Sequence, residues 1–264
     1  MPGGRYDSSK TRVAPFFNHL LARDPTGADW LGPLLALPAC GCEGARPPEY
    51  PGELQDHAWG EHERALDPPA SLLRWLVRNL KCPSSMKRED VRPPQRGDLI
   101  EGDPERIAEG LERLEGGARG RAWYVMEGPS YPDAYLATSD LVVVIEGKRT
   151  EAGPTTSTTW MPVRLQMLRH LDAAYEIAGP RALVGFFMVE DGEDGALPEV
   201  WREACTQTLD PELLEASLPH RSTEERQRIG EAFLGAVTWQ HACDALEVPR
   251  SALPETVERP EGKA

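Results

Sequence analysis

The run LVVVI at 141–145, followed at once by EGK at 146–148, constrains the fold more than any other part of the chain. Five consecutive aliphatic side chains without polar alternation indicate a β-strand that is buried on both faces. A strand of this kind lies at the centre of a sheet that helices cover, so we expect an α/β fold. Charge that begins abruptly at the end of a buried strand is typical of a functional site.

The elements around this strand predict a folded core over residues 103–190. Asp103 is a helix N-cap, Pro104 takes the first helical position, and Gly116-Gly117 ends the helix. Three strands, a second helix and a fourth strand follow. The predicted strands are 122–126, 132–137, 141–148 and 182–189, and the second helix is 163–178. The sequence therefore predicts a mixed sheet of about four core strands flanked by helices.

The segment before the core, residues 1–102, is predicted to be a mostly helical N-terminal cap. Apolar residues recur at helical spacing over 15–23 and 71–81. Clusters of proline and glycine at 43–70 and 92–104 are typical of loops or linkers. We therefore expect two or more helices that are separated by irregular connections.

The segment after the core, residues 191–264, is predicted to be an acidic helical region that packs on the core. From Glu190 onward the chain holds 17 acids and 7 bases, which contributes −10 of the total net charge of −14. Helical patterns cover 211–216 and 223–236, and the end from Pro254 is predicted to fray. This acidic balance argues against a protein that grips nucleic acid over its whole surface.

One segment, residues 74–96, has a local excess of positive charge. It holds seven bases against Glu89 and Asp90, a net charge of +5 over 23 residues. Two interpretations stay open for this segment: a phosphate-binding face, or a basic loop that is simply solvated.

The remaining composition bears on location and redox state. No apolar run reaches the roughly 18 to 20 residues of a membrane helix, and the N-terminus has no secretion-signal pattern, so we expect a cytoplasmic protein without membrane contact. The five cysteines are an odd number and are expected to be reduced thiols. A zinc site at Cys40 and Cys42 with His57 and His62 is the less favoured alternative.

The predicted hairpin brings two acids and a lysine together. If Ser139-Asp140 is a two-residue loop, Asp133 lies opposite Glu146, and Lys148 shares the face of Glu146. Two facing carboxylates repel each other unless a cation joins them, and Mg²⁺ takes carboxylate oxygens and water as ligands. Lys148 would orient an attacking water and offset charge on a phosphate. The pattern predicts metal-assisted hydrolysis of a phosphodiester.

These residues resemble the motif of the PD-(D/E)XK nuclease superfamily. Pro132-Asp133 matches the PD, and Glu146-Gly147-Lys148 matches the E-x-K, within a predicted order of elements that is similar to the family's core. The resemblance covers residues 103–190 and implies a restriction-endonuclease-like fold. It also implies that Asp133, Glu146 and Lys148 are catalytic, with the two acids as ligands of Mg²⁺ or, as a substitute, Mn²⁺.

Many members of this superfamily carry a further acid on the first core helix. The choice lies among Glu109, Glu112 and Glu115, and Glu115 lies nearest to the buried stripe of the predicted helix. We therefore assign Glu115 as a further metal ligand. Some family branches have Gln-x-x-x-Tyr on the second helix, and here His170 follows Gln166 by four residues, so only half of that pattern is present.

Four side chains near the motif are predicted to contact substrate: Gln166, Arg149, Arg164 and Arg169. The three arginines are the residue type that grips phosphate with paired hydrogen bonds. Three other polar residues are interpreted as structural: Asp140 as a turn residue, and Glu127 and His170 as residues without a direct role.

The function predicted from the sequence is a Mg²⁺-dependent nuclease, a hydrolase that acts on DNA in preference to RNA. Its partner would be nucleic acid, and a homodimer or a partner subunit stays open. One alternative is a binding or regulatory module that keeps the nuclease fold without cleaving. Another is a partner protein whose acidic tail docks onto a basic subunit. The chain has no G-x-S-x-G motif, no cysteine in a catalytic context and no glycine-rich phosphate loop.

Overall fold

A computed structural model describes residues 7–39, 51–117, 120, 122–193 and 195–256 of the chain. Its central feature is a five-stranded mixed sheet with helices on both faces, which confirms the predicted α/β class. The strands are β1 (Asp56–Trp59), β2 (Ala134–Ala137), β3 (Leu141–Gly147), β4 (Ala182–Val189) and β5 (Phe233–Thr238).

The strands lie in the sheet in the order in which they occur in the chain. The pairs β1–β2 and β2–β3 are antiparallel, and the pairs β3–β4 and β4–β5 are parallel. The β2–β3 hairpin closes as the sequence predicts, because the Thr138 amide donates to the Leu141 carbonyl at 2.9 Å and leaves a two-residue loop. Ala134 pairs with Ile145, so continuing the register by one step sets Asp133 opposite Glu146.

The described residues also form ten α-helices. They are α1 (Ala14–Arg23), α2 (Leu31–Leu35), α3 (Ala70–Asn79), α4 (Pro94–Ile100), α5 (Pro104–Glu115), α6 (Gln166–Ala178), α7 (Glu199–Leu209), α8 (Pro211–Ser217), α9 (Thr223–Glu231) and α10 (Trp239–Ala245). Within the same residues, no helix is long and apolar enough to cross a membrane.

The central strand β3 is buried on both faces, as its sequence predicts. Val143 and Ile145 face a cluster that includes α1, α2 and α10. Val142 and Val144 face the opposite cluster, which includes α6 and α7. Two helical layers therefore enclose the sheet, and β3 contributes side chains to both.

A third hydrophobic cluster lies apart from the two that cover the sheet. Helices α3, α4 and α5 form it, and we call these three helices the helical insertion because they lie between β1 and β2 in the chain. The strand predicted at 122–126 is wrong. This segment is irregular, and its Tyr124 and Met126 pack against the helical insertion, so the apolar pattern reflects packing on helices.

The strand that pairs with β2 is instead β1, which lies inside the segment predicted to be loop at 43–70. Most of β1 is exposed or half-buried, as befits an edge strand, so it has no strong apolar pattern. Residues 1–102, predicted as a cap, thus supply β1, α1 and α2 to the layers around the sheet.

Two further predictions need correction. The loop predicted at 92–104 contains α4, which begins at Pro94 and uses proline where a helix tolerates it. The helix predicted over 223–236 ends at Glu231, and the remaining residues enter β5, whose side chains are all buried. The region after residue 190 therefore adds a strand as well as helices, and its last residues, 257–264, lie outside the described residues.

Candidate active site

The end of the β2–β3 hairpin holds the three residues of the predicted catalytic motif. Asp133 directly precedes β2, Glu146 is the penultimate residue of β3, and Lys148 directly follows β3. Asp133 Oδ2 accepts a hydrogen bond from the Gly147 amide at 2.8 Å. The Asp133 carboxyl group therefore lies against the end of β3, beside the two other members of the motif.

Glu146 is the centre of this arrangement and is only 3% exposed. Its Oε1 atom lies 2.6 Å from Lys148 Nζ and accepts a hydrogen bond of 2.6 Å from Gln166 Nε2. Its Oε2 atom lies 2.8 Å from His170 Nε2. Three side chains thus hold one buried carboxylate in a fixed orientation.

Helix α6 supplies two of these three side chains. Gln166 and His170 are four residues apart, so both lie on the same side of the helix. The Gln166 Oε1 atom accepts a hydrogen bond from the Thr155 amide, and His170 Nδ1 lies 2.5 Å from Ser130 Oγ. These second contacts restrain both side chains. His170, interpreted from the sequence as structural, is therefore in direct contact with the site.

The charges in the site are not balanced. Burial, together with the negative charge of Glu146, raises the pKa of Asp133 to about 9. Burial also raises the pKa of Glu146, but the positive charges of His170 and Lys148 outweigh it and lower that pKa overall. Burial lowers the pKa of Lys148, and the two acids raise it by more, so its amine stays protonated. The site thus favours the ionised form of Glu146 and the protonated form of Asp133.

A third acid, Glu63, lies within electrostatic reach of the pair. It is half-buried, and burial together with the charge of Glu146 raises its pKa. Glu63 follows β1, so the β1–β2 pairing carries it to the site from 70 residues earlier in the chain. Sequence reasoning missed Glu63, because β1 itself has no pattern that identifies it.

The acid predicted from the sequence in this role, Glu115, lies elsewhere. It is the last residue of α5 in the helical insertion, its side chain is exposed, and the described contacts of Asp133 and Glu146 do not include it. The reason is that α5 packs on α3 and not on the sheet.

The predicted substrate-binding arginines have three different environments. Arg164 is 1% exposed and pairs with Glu127 at 2.8 Å and Asp172 at 2.9 Å, so its guanidinium is enclosed in the protein. Arg149 pairs with Glu190 and Glu255 on the side of the C-terminal region. Arg169 is partly exposed and donates hydrogen bonds to the Gly128 and Pro129 carbonyls.

A cleft of about 200 Å³ lies beside the site, and we call it the site cleft. Its lining includes Gln166 and His170, which contact Glu146, together with Arg169, Tyr131 and Thr155. Of the predicted arginines, Arg169 therefore remains the one whose side chain is both partly exposed and next to the site.

The side chains of the site fit Mg²⁺ better than they fit a structural zinc ion. The described residues include no group of three or more His, Cys, Asp or Glu side chains placed to hold a metal ion, as a closed structural zinc site requires. Mg²⁺ is different, because one or two carboxylates hold it together with waters and substrate phosphates. Asp133 and Glu146 provide that pair, and burial together with the charge of Glu146 raises the pKa of Asp133 to about 9. Cys40 and Cys42 lie outside the described residues.

Comparison with known proteins identifies no relative: no family model, no curated protein and no solved structure matches the chain significantly.

Proposed function

We propose that the protein is a Mg²⁺-dependent nuclease of the PD-(D/E)XK type, with DNA preferred to RNA as its substrate. The observation that carries the proposal is the convergence of the buried Glu146 carboxylate, the half-buried Asp133 carboxyl group and the half-buried Lys148 ammonium group where the strands of the hairpin end. This combination of charges at a cleft is the arrangement that metal-assisted phosphodiester hydrolysis needs.

Asp133 and Glu146 would hold the metal ion. When bound, Mg²⁺ polarises the phosphodiester and lowers the pKa of a water molecule, which supplies the nucleophile. Asp133 would bind the ion as a carboxylate, because the charge of a divalent cation would lower the pKa that burial and the charge of Glu146 raise.

Lys148 acts as a fixed cation rather than as a base. The two acids keep its amine protonated, and an ammonium group donates hydrogen bonds but accepts none. At the end of β3 it stabilises negative charge that develops on the phosphate, in a site from which most water is excluded.

Gln166 and His170 position Glu146 and do not need to touch the substrate for this purpose. Each contacts one oxygen of the Glu146 carboxylate, and each is restrained by a second partner. Groups of this kind, one step removed from a metal ion, orient the ligand that contacts it.

The test is cleavage of single-stranded DNA, double-stranded DNA and RNA by the purified protein, with Mg²⁺ or Mn²⁺ against a chelator. Replacement of Lys148 by methionine keeps the length of the side chain and removes its charge. We expect metal-dependent cleavage that falls about 100-fold in K148M. The matched control is K87M, because the Lys87 side chain is 78% exposed, and it should cleave nearly as well as the wild type.

A second candidate function is a nucleic-acid-binding module that keeps the fold without cleaving. One observation favours it: Lys148 and Gln166 already contact Oε1 of Glu146, which engages that oxygen without a metal ion. Oε2 lies 2.8 Å from His170 Nε2 but has no hydrogen-bond partner among the described residues. Binding of nucleic acid that does not respond to Mg²⁺, with no cleavage of any of the three polymers, would favour this function over the nuclease.

A further inference from the structure

A larger cavity adjoins the site cleft. This second cavity has a volume of about 840 Å³, and its lining includes Ser157 and Thr158, which also line the site cleft. At its far side it reaches Trp75 on α3. We call the two adjoining cavities together the groove, which extends from beside the candidate active site to the helical insertion.

Aromatic side chains lie along the whole groove. Tyr131 lines the site cleft and is 52% exposed, which makes it one of two exposed large hydrophobic residues in the described chain, with Val200. Trp75 and Trp160 line the larger cavity and are half-buried. An aromatic ring held open to solvent beside a polar site provides a surface on which a nucleobase can stack.

The polar lining of the groove suits a phosphate backbone. The loop 155–159 carries mostly exposed Thr and Ser side chains between the two cavities, and hydroxyl groups and backbone amides are common phosphate contacts. Lys81 lines the larger cavity and belongs to the basic segment at 74–96. Among the described residues, Arg74, Arg78 and Lys81 form no ion pair, although the chain as a whole carries a net charge of −14. Of these three bases, Lys81 is the one that lines the groove, so it places one positive charge at this end.

We propose that the groove binds a single strand of nucleic acid, with its backbone along loop 155–159 and its unpaired bases against Tyr131, Trp75 and Trp160. The bases of a duplex are stacked inside the helix, so rings recessed in a cavity can contact only bases that are splayed out. This inference rests on the proposed function and extends it, since it selects single-stranded over double-stranded substrate.

The first test is the dissociation constant of the full chain for a labelled single-stranded DNA oligonucleotide and for the same sequence as a duplex. It is measured by fluorescence anisotropy in chelator, where cleavage does not interfere. We expect about 10-fold tighter binding of the single strand, and an increase of similar size in its dissociation constant in Y131A and in K81A. Y131F keeps the ring and should bind like the wild type. V200A and R250A are the controls for loss of an exposed apolar side chain and of an exposed cation.

The second test does not depend on substitutions. Cys82 lines the larger cavity and is partly exposed, whereas Cys205 and Cys243 are buried. Alkylation of Cys82 by a maleimide, followed by mass spectrometry of its peptide, reports whether the cavity is covered. The single-stranded oligonucleotide should slow this reaction several-fold, and the duplex should not.

The outcomes separate this inference from the nuclease proposal. Suppose that the duplex and the single strand bind with equal affinity, that Y131A and K81A bind like the wild type, and that Cys82 is not protected. This result would overturn the proposal that the groove binds a single strand, even if the protein cleaves DNA. Selective binding of the single strand without metal-dependent cleavage would support the groove and count against the nuclease.

Discussion

Helix α6 contacts two buried groups of charged side chains that differ in their balance of charge. One is the candidate active site around Glu146. The other, which we call the arginine cluster, consists of Arg164, Glu127, Asp172 and Arg221. Every member of the arginine cluster is at most 6% exposed. The two groups share a helix and a depth in the protein, so burial alone does not distinguish them.

The arginine cluster pairs each carboxylate with a guanidinium group. Arg164 contacts both Glu127 and Asp172, and Arg221 contacts Asp172 through Nε at 2.8 Å. Burial raises the pKa of Asp172, but Arg164 and His220 outweigh it and hold that pKa far below its usual range. Asp172 and the two guanidinium groups therefore stay ionised, and the cluster has no need of a further ion.

The candidate active site has a different balance, because burial and the charge of Glu146 outweigh the charge of Lys148 and raise the pKa of Asp133 to about 9. An unbalanced acid beside a cleft indicates a place for a ligand, whereas a balanced cluster indicates a structural support. The arginine cluster also supports the candidate active site. Arg164 Nη1 donates to the Ser217 carbonyl, and the Ser217 hydroxyl accepts from the Leu165 amide at the start of α6. The arginine cluster thus fixes the helix end from which Gln166 reaches Glu146.

The largest effect is expected from R164A in the arginine cluster. It leaves two buried carboxylates without their shared partner, so the free energy of unfolding should fall by about 3 to 5 kcal/mol. Urea unfolding followed by circular dichroism measures this change. The control is R202A, because the Arg202–Glu199 pair is exposed and should contribute little. Similar losses in both variants would show that the cluster is not a structural support.

The hairpin and the arginine cluster also show what sequence reasoning can and cannot reach. The pairing of Asp133 with Glu146 follows from a two-residue loop and a buried strand, both of which are local signals. The role of Arg164 is not local, since Glu127 lies 37 residues before it and the Ser217 carbonyl 53 residues after it. From sequence, Arg164 and Arg169 are equivalent bases near the motif.

The same lack of local signals explains why the sequence indicates Glu115, whereas the structure places Glu63 near the site. Glu115 lies on a helix with clear boundaries, but no local pattern shows that this helix packs on α3 instead of the sheet. Glu63 reaches the site only through β1, a four-residue edge strand with a weak pattern. Predictions thus succeeded within the hairpin and failed where the helical insertion separates strands that are adjacent in the sheet.

The next effect concerns the unbalanced acid. D133N removes a metal ligand, so we expect cleavage to fall by about 100-fold or more. Unlike R164A, it should not destabilise the protein without metal, since a carboxyl group with a pKa of about 9 is already uncharged at neutral pH and the neutral amide replaces it without a change of charge. Mg²⁺ at ten times its dissociation constant should stabilise the wild type by about 1.4 kcal/mol, and D133N should lose this gain.

The control for D133N is D140N, at the exposed loop of the same hairpin, which should keep both cleavage and the response to Mg²⁺. Thermal unfolding with and without Mg²⁺ measures the stability terms. A marked loss of stability in metal-free D133N would place Asp133 with the structural groups instead.

The smallest expected effect concerns Arg169, which lies at the boundary between the two groups. Its Nε atom is 3.6 Å from Glu127 of the arginine cluster, and its partly exposed side chain lines the site cleft. Because Glu127 keeps Arg164, R169A should lower the free energy of unfolding by less than about 1 kcal/mol. Affinity for nucleic acid should fall about 10-fold, since a hydrogen-bonded cation beside the phosphate is lost.

Urea unfolding measures the free energy of unfolding, and fluorescence anisotropy in chelator measures the affinity for nucleic acid. R169K restores the positive charge without the planar guanidinium group. Partial recovery of affinity in R169K would assign Arg169 to the substrate. If R169A instead destabilised the protein as strongly as R164A and bound nucleic acid normally, Arg169 would belong to the arginine cluster.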